Sequence, residues 1–242
     1  MVIPIVSLKG GVGKSTITLN LADLVNLKYN NKVLIIDTDP QNSISYLLCK
    51  SVKQGLSEVL LNNVNIEDVI EKVFDKNSLY IIPNGYVSVD NFNEYENSFS
   101  DDRIKNILNQ LDKKFDFIFI DTPPQISNIT YNVLKYSNLF FIVITPEPAS
   151  IASLKIFFKF LEDYNLSDNF FIIVNKLEPN ELSEDFYKYL LSFSYKKVLG
   201  SIPRDKVVLE AQANCTTVIR YDRNSAFVAF LEEVVESIEK NL

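Results

Sequence analysis

The chain has 242 residues, of which 47% are hydrophobic and 23% are charged, as in globular proteins with a sizeable core. The formal net charge of −7 argues against a protein whose whole surface coats nucleic acid, although it leaves room for a local basic patch. Histidine is absent, which excludes histidine both as a general base and as a metal ligand.

The chain begins with MVIPIV, which has neither a basic region nor a cleavage site typical of a secretory signal. Its apolar runs are far shorter than the roughly 20 residues that span a bilayer. Cys49 and Cys215 are far apart and form no C-x-x-C pair. We therefore expect a soluble cytoplasmic protein whose two cysteines stay reduced.

Short apolar runs alternate with longer amphipathic segments along the chain, a pattern typical of a parallel sheet covered by helices. Most of these runs are apolar almost throughout, as strands buried on both faces should be. We predict a single α/β domain over 1–242, with a doubly wound, mostly parallel sheet and helices on both faces. The predicted strands are 2–8, 32–37, 79–83, 115–121, 138–145, 169–175 and, more weakly, 197–202.

Apolar residues at helical spacing fill most of the segments between these strands. The stretch 50–100 is less regular, and we expect two short helices in it followed by a polar loop. The predicted helices are 15–28, 55–61, 66–74, 102–114, 127–136, 149–163, 181–192 and 224–240.

A glycine-rich segment, VSLKGGVGKSTI (6–17), follows the first strand and leads into the first helix. It departs from the strict G-x-x-x-x-G-K-[ST] pattern, because Leu8 stands where the first glycine belongs. Glycines let backbone N–H groups approach phosphate oxygens, and the helix N-terminus adds partial positive charge. We predict that Lys14 bridges the β- and γ-phosphates and that the Ser15 hydroxyl binds Mg²⁺. The alternative is a glycine turn that only joins strand to helix.

Lys9 is a second lysine in this loop, and two lysines this close repel each other unless an anion lies between them. We predict that Lys9 reaches a nucleotide held by a second copy of the protein and neutralises charge as the γ-phosphate leaves. The alternative is a solvated lysine at the edge of the loop.

Carboxylates stand at the ends of two of the predicted strands, at the sheet edge where open α/β sheets bind ligands. Asp37 and Asp39 stand in LIIDTDPQNS, and two carboxylates so close indicate a nearby cation or a positioned water. Asp39 is alternatively a helix N-cap before Pro40. Asp121 ends the apolar strand FDFIFID, a Walker B pattern whose carboxylate reaches Mg²⁺ through water.

The segment IIVNKLE (172–178) is similar to the guanine-reading motif N-K-x-D, but Glu178 replaces the aspartate. Glutamate is one methylene longer and would not hold guanine with the same geometry. This departure argues against guanine as the base. The alternative for Asn175 is a strand-end asparagine in a turn.

Together these motifs resemble the ParA/MinD family of deviant Walker A ATPases, with KGGVGKST as the signature. DTDPQNS and DTPP resemble the family's switch I and switch II segments, and SIPRDK and the residues after it resemble its C-terminal segment. The closest resemblance is to ParA (Soj-like) partition ATPases without an N-terminal DNA-binding extension. It implies a P-loop NTPase fold and a dimer that sandwiches two ATP molecules.

The resemblance also implies roles for individual residues. Catalysis would fall to Lys9, Lys14 and Asp39, with Asp39 positioning the attacking water, and Mg²⁺ to Ser15, Asp37 and Asp121. The implied nucleotide-binding residues are Lys9, Gly10, Gly11, Val12, Gly13, Lys14, Ser15, Thr16, Asn175, Pro203 and Arg204.

The function implied is a slow, Mg²⁺-dependent, partner-stimulated ATPase that segregates plasmids or chromosomes. The implied partners are a second copy of the chain when ATP is bound, non-specific DNA of the nucleoid, and a ParB-like centromere-binding protein. The candidate DNA contacts are Lys196, Lys197, Lys206, Arg220 and Arg223, with Lys188 as a further candidate. The alternative for this set is scattered solvated charges.

Attachment to a membrane is not expected, because the last predicted helix is acidic on its polar face. The alternative function is a spatial switch of the same family that positions a non-DNA cargo, such as a division or polar complex. A ligase or reductase on the same fold is a third reading. The iron-protein form of a reductase would need paired cysteines, which the sequence does not show.

Overall fold

The computed structural model describes residues 1–99, 102–166, 169–194 and 197–240. Eight strands form one sheet in the described residues. They are β1 (Val2–Val6), β2 (Val33–Asp37), β3 (Glu71–Lys72), β4 (Leu79–Ile82), β5 (Phe117–Asp121), β6 (Phe140–Ile144), β7 (Phe170–Leu177) and β8 (Val198–Pro203). Their order across the sheet is β3–β4–β2–β5–β1–β6–β7–β8. Every neighbouring pair is parallel except β3 with β4.

Helices cover both faces of this sheet, and among the described residues none is long and apolar enough to cross a membrane. They are α1 (Lys14–Tyr29), α2 (Ser43–Leu47), α3 (Leu56–Asn62), α4 (Phe92–Ser98), α5 (Asp102–Asp112), α6 (Asn128–Lys135), α7 (Pro148–Asp163), α8 (Glu181–Ser194), α9 (Val207–Ala213), α10 (Val218–Tyr221) and α11 (Ala226–Glu239), with a 3-10 helix at Ile66–Val69.

The strands β1, β2, β5 and β6 are buried at every residue, because their alternating side chains enter cores on opposite faces. On β1, Ile3 and Ile5 pack in the core that also holds residues of α1 and α11. Val2 packs in the second core, among residues of α3 to α6. The predicted fold class is therefore confirmed: a mostly parallel, doubly wound sheet with helices on both faces.

Differences from the predicted elements fall on short segments. The predicted helix 66–74 is a 3-10 helix that gives way to β3, and the predicted polar loop contains α4. The helices α2, α9 and α10 are additional to the prediction and are only four to seven residues long. Helices this short show no repeating apolar stripe and owe their stability to tertiary packing, so sequence periodicity does not reveal them.

The expectation that both cysteines stay reduced is wrong in this structure. Cys49 follows α2, Cys215 follows α9, and the two form a disulfide with their Cα atoms 5.4 Å apart. They are 166 positions apart in the sequence, yet both helices contribute side chains to the core that contains α1. Because α2 and α9 pack on this common core, the fold brings together two cysteines that no local motif relates.

We expect removal of this disulfide to destabilise the protein by about 2–4 kcal/mol, because the cross-link restricts a very long loop in the unfolded chain. Urea unfolding of the Cys49→Ser/Cys215→Ser double variant measures this, and reduced wild-type protein should match it. A thiol-reactive chromophore should detect no thiol in the denatured, unreduced protein. Two reactive thiols in freshly purified protein would contradict the disulfide.

Candidate functional site

A cleft of about 690 Å³ opens at the carboxyl ends of the strands, where open parallel sheets bind ligands. It gathers residues that lie up to about 200 positions apart in the sequence. Its lining includes Gly10, Gly11, Gly13, Lys14, Ser15, Thr16, Asp39, Gln41, Ser43, Tyr46, Leu47, Pro124, Asn175, Lys176, Pro203, Arg204, Asp205, Val208, Leu209, Gln212 and Phe227. The cleft thus holds most of the residues that the sequence predicts for nucleotide binding.

The loop between β1 and α1 is packed directly on Asn175. Gly13 has a φ of 99°, in the left-handed region, and a Cβ there would overlap the Asn175 amide nitrogen. That amide nitrogen donates a hydrogen bond of 2.7 Å to the Val12 carbonyl oxygen. Only glycine fits at position 13, which explains why the loop needs it. The Val12 side chain is buried in the core, so Val12 offers the site only its backbone.

Lys14, at the start of α1, is buried and lies near Asp121 at the end of β5. Thr18, one turn further along α1, donates to Asp121 Oδ1 at 3.3 Å. Burial raises the pKa of Asp121 to about 6, although the charge of Lys14 and a hydrogen bond from Ser15 act in the opposite direction.

Asp37 and Asp121 are opposite one another in the register of β2 and β5, and both are fully buried. Burial and then the charge of Asp121 hold the pKa of Asp37 well above its usual range. The backbone N–H groups of Asp39 and Ile44 donate to the two Asp37 oxygens at 3.0 and 3.4 Å. This places Asp39 at the edge of the cleft, directly beyond the two carboxyl groups.

These carboxyl groups fit a divalent cation. Asp121 Oδ2 is buried and has no hydrogen-bond partner among the described residues, although its side chain is fully enclosed. The described residues contain no group of three or more acidic, cysteine or histidine side chains around a common point. Two carboxylates and the Ser15 hydroxyl are thus the available protein groups. Mg²⁺ suits such a sparse set, because it keeps several water ligands and binds substrate phosphates.

Lys9 does not line the cleft of its own chain, as far as the described residues show. Its ammonium group forms an ion pair with Glu147, the residue just before α7, and this hydrogen bond lowers the pKa of Glu147. The Lys9 side chain is 37% exposed. Sequence reasoning missed Glu147, whose only signal is its position just after the predicted strand 138–145.

The other end of the cleft contains Pro203 and Arg204, as predicted. Arg204 donates to Glu178 at 2.7 Å, so the residue that departs from the guanine-reading motif is engaged in an ion pair.

Sequence reasoning missed Lys176, which donates to the Gly11 carbonyl at 2.6 Å, although it directly follows Asn175 in the quoted motif. Burial lowers the pKa of Lys176.

Helix α9 supplies a wall of the cleft that the sequence did not predict. Gln212 donates to the Thr16 hydroxyl at 3.1 Å, which connects α9 to the first turn of α1. Tyr46 on α2 and Leu209 on α9 also line the cleft and are 71% and 69% exposed. No sequence motif marks these residues, because only the folded chain brings α2 and α9 to the loop.

Among the described residues, the basic side chains predicted to contact DNA are spread over β8, α10 and the segments beside them. Lys197 precedes β8 and Lys206 follows it, and a strand of six residues separates its ends by about 20 Å. The Arg220 guanidinium is engaged within the chain, where it makes two 2.7 Å hydrogen bonds to the buried Asp23 and stacks on Phe74.

The remaining members of the set are less constrained. Lys206 is 87% exposed and lies 3.8 Å from Glu210, and Lys188 is paired with Asp185 at 3.6 Å. Arg223 is exposed between α10 and α11. Lys196 lies outside the described residues.

The chain is similar to known proteins over most of its length. A family model described as an AAA domain matches residues 1–173. The virulence plasmid ParA family protein pGP5-D of Chlamydia psittaci is 28% identical, over 98% of this chain and 93% of its own length. A plasmid partition protein of Borrelia burgdorferi B31, solved with AMPPNP bound, is 31% identical. It has a TM-score of 0.83 and covers 100% of this chain and 99% of its own.

A second solved structure is similar over nearly the same length. The septum site-determining protein MinD of Pyrococcus horikoshii, complexed with Mg-ADP, is 25% identical and has a TM-score of 0.79. The alignment covers 99% of this chain and 96% of that chain.

We expect Asp121→Asn to stabilise the nucleotide-free protein in EDTA at pH 8 by on the order of 2–3 kcal/mol. Folding then buries one negative charge fewer next to Asp37. The difference in the free energy of unfolding should shrink as the pH falls through about 6. The wild-type carboxyl group then becomes protonated, so its burial costs the wild-type protein less stability. Urea unfolding at pH 8 and pH 5 measures both effects.

Asp163→Asn, at the exposed end of α7, serves as the control and should change stability by less than about 0.5 kcal/mol. A less stable Asp121→Asn protein at pH 8 would contradict the view that this carboxyl group is buried at a net cost.

Proposed function

Because the chain belongs to the ParA/MinD family of ATPases, we propose that it is a Mg²⁺-dependent ATPase that partitions DNA as an ATP-bound dimer. One observation carries the ATPase part of this proposal. The glycine-rich loop lines the cleft, and Lys14 at the end of this loop lies near the buried Asp121. Asp121 Oδ2 has no hydrogen-bond partner among the described residues, and Asp121 is paired in register with the equally buried Asp37. Burying two carboxyl groups side by side costs free energy unless positive charge lies close to them, and a bound cation would supply that charge.

In the proposed mechanism the loop from Gly10 to Thr16 holds the phosphates. Lys14 provides positive charge at the β- and γ-phosphates, while the glycines allow close approach of the backbone. Ser15, Asp37 and Asp121 would hold Mg²⁺, directly or through water, and the ion would supply positive charge to the phosphate oxygens.

Asp39 is the candidate for orienting the attacking water. Its carboxylate lies at the cleft, and its backbone N–H is held by Asp37, two residues earlier. The chain has no histidine, so a carboxylate is the available group for this work.

Lys9 completes the site from a second copy of the chain. Within the described residues its side chain is not among those that line its own cleft, and it is paired with Glu147, so an ATP-bound partner has to compete with this ion pair. An exposed ion pair is worth less than about 1 kcal/mol, whereas a lysine that meets a developing phosphate charge away from water gains more. ATP hydrolysis and dimerisation are therefore coupled.

The adenine base is proposed to lie between Asn175, Pro203 and Arg204. The Asn175 amide nitrogen already donates to Val12, which leaves its oxygen to accept from an exocyclic amino group. Glu178 is paired with Arg204, which supports ATP over GTP because the residue at the guanine-reading position has another partner.

Partition of DNA is supported by the similarity to plasmid ParA and plasmid partition proteins across the whole length of the chain. A ParB-like centromere-binding protein would then stimulate hydrolysis. The scattered basic residues favour the second candidate, a spatial switch that positions a non-DNA cargo. Attachment to a membrane through α11 has no support, since its apolar side chains, including Phe227, Leu231 and Val234, are buried in the core.

We expect Lys9→Ala to bind ATP with an affinity within a few-fold of wild type but to lose dimerisation and most of its turnover. The side chain is absent from its own cleft, so binding should survive while the contact across the dimer is lost. Fluorescent-nucleotide titration, light scattering with ATP and Mg²⁺, and phosphate release measure these three properties.

Lys155→Ala on the outer face of α7 is a matched control and should behave as wild type. Full hydrolysis by a monomeric Lys9→Ala protein would eliminate the sandwich mechanism.

We expect wild-type protein to be retained on duplex DNA of any sequence with ATP and not with ADP, and to be released as salt rises. Fluorescence anisotropy with a labelled duplex at 50 and 200 mM salt measures this. Lys206→Glu should weaken retention, while Lys188→Glu tests whether α8 takes part. If the protein hydrolyses ATP and dimerises but does not bind the duplex at 50 mM salt, the result would favour the second candidate function, the positioning of a non-DNA cargo.

A further inference from the structure

The loop that carries Asp39 is held from outside the phosphate site. On the amino side of Asp39, the Thr38 carbonyl oxygen lies 3.2 Å from the Tyr95 hydroxyl, while the Thr38 hydroxyl donates to the Asp121 carbonyl at 2.7 Å. On the carboxyl side, Asn42 is bonded to Gly85. The three residues 39–41 thus stand between two fixed points.

The carboxyl-side contact is a reciprocal pair of hydrogen bonds. The Asn42 amide nitrogen donates to the Gly85 carbonyl at 2.7 Å, and the Gly85 N–H donates to the Asn42 amide oxygen at 3.2 Å. Asn42 is buried and has a φ of 51°, a conformation that asparagine tolerates better than most residues. The pair therefore fixes both the side chain and the turn that follows Asp39.

Gly85 is itself a firm anchor, because α3 encloses it. Its φ is 87°, and a Cβ there would overlap the Glu58 carboxylate. That carboxylate accepts from Gly55 N–H at 2.7 Å and from Tyr86 N–H at 3.2 Å. The segment that holds Asn42 is thereby joined to the start of a helix rather than to a free loop.

The amino-side contact depends on one proton. The Tyr95 hydroxyl contacts both the Thr38 carbonyl and the Asn84 side-chain oxygen but has a single hydrogen to donate. The Asn84 amide nitrogen is buried and has no partner among the described residues. If the Asn84 amide is turned, its nitrogen donates to the Tyr95 oxygen, and the Tyr95 proton is then available to the Thr38 carbonyl.

The helix that carries Tyr95 also reaches the loop after β5. On α4, the next residue, Glu96, accepts from Gln125 at 3.0 Å, and Asn97 accepts from Asn128 at 3.4 Å. Gln125 directly follows the two prolines after Asp121 and Thr122. One short helix therefore touches both loops that leave the paired strands β2 and β5.

We propose that Tyr95 is a positioning residue for ATP hydrolysis, which acts through Thr38, together with Asn84 and Asn42, to hold Asp39 toward the attacking water. This inference rests on the proposed ATPase function. Tyr95 does not touch the nucleotide cleft itself, so its hydroxyl influences the orientation of Asp39 and not the binding of phosphates by Lys14 and the glycine loop. A tyrosine that served only the core would be replaceable by phenylalanine, since its ring packs edge-on against Phe99.

The test is Tyr95→Phe, with Tyr80→Phe as a matched loss of one hydroxyl group. Tyr80 lies near the amino end of β4, away from the carboxyl ends of the strands where the cleft opens, and its ring packs against Phe115. Tyr95→Phe should lower kcat at saturating ATP about fivefold, as for the loss of one hydrogen bond, and leave the ATP dissociation constant within twofold. Tyr80→Phe should leave both unchanged.

Hydrogen exchange of the nucleotide-free protein gives a readout that needs no hydrolysis. In Tyr95→Phe the amides of 38–44 should exchange at least threefold faster, while those of α1 keep their wild-type rates. Asn42→Gly keeps the left-handed backbone, removes the other contact and should have the same two effects. Both contacts hold the same loop. The fold-decrease in kcat of the double variant Tyr95→Phe/Asn42→Gly should therefore be smaller than the product of the fold-decreases of the two single variants.

The outcomes separate the two proposals. If wild type hydrolyses ATP and Tyr95→Phe matches it in kcat and in exchange of 38–44, the positioning role is overturned. The same holds if Tyr95→Phe weakens ATP binding as much as it lowers kcat, since that is a general structural defect. If wild type does not hydrolyse ATP, the ATPase proposal fails, and the exchange rates alone decide whether the contacts hold the loop.

Discussion

Two buried carboxyl groups on neighbouring parallel strands dominate the site. Asp37 and Asp121 are paired in register, fully enclosed, and both have raised pKa values. An isolated protein gains nothing from burying two like charges together, so the arrangement has a physical purpose only when positive charge joins it. Lys14 supplies part of that charge, and Asp121 Oδ2, which has no partner in the described part of the chain, marks where more is needed.

The loops around these acids are held by contacts that reach deep into the fold. The glycine loop rests on Asn175 from β7, and the loop of Asp39 rests on α3 and α4 through Asn42 and Tyr95. Each loop thus takes its shape from a different part of the chain. A preorganised site of this kind spends little free energy on ordering its groups when a nucleotide arrives.

Lys9 differs from the groups that are fixed within one chain, because its environment would change between the monomer and the proposed dimer. In one chain it is paired with the exposed Glu147, a contact weak enough to exchange for a stronger one. In the proposed dimer it meets phosphate. This difference allows a site that is nearly complete in each copy to depend on the second copy for its last positive charge.

Much of this architecture was predictable from local sequence. Fully apolar strands and periodic helices indicated the doubly wound sheet, and the glycine loop, Asp37, Asp39 and Asp121 were recognisable because each motif follows a strand. These signals are local: a backbone loop or a strand-end carboxylate is encoded within about ten residues. The positions of the glycine loop and of the carboxylates at the strand ends are therefore sufficient to locate the cleft.

Tertiary structure alone decided the rest, because it depends on residues far apart in the sequence. Three contacts join segments separated by 57 to 197 positions: the disulfide between Cys49 and Cys215, the ion pair of Arg220 with Asp23, and the contact of the Tyr95 hydroxyl with the Thr38 carbonyl. No periodicity or motif records such pairs, since the short helices α2, α4 and α9 form only where the core holds them. Sequence thus determined the chemistry of the cleft, and packing determined which side chains hold it in shape and which charges remain free.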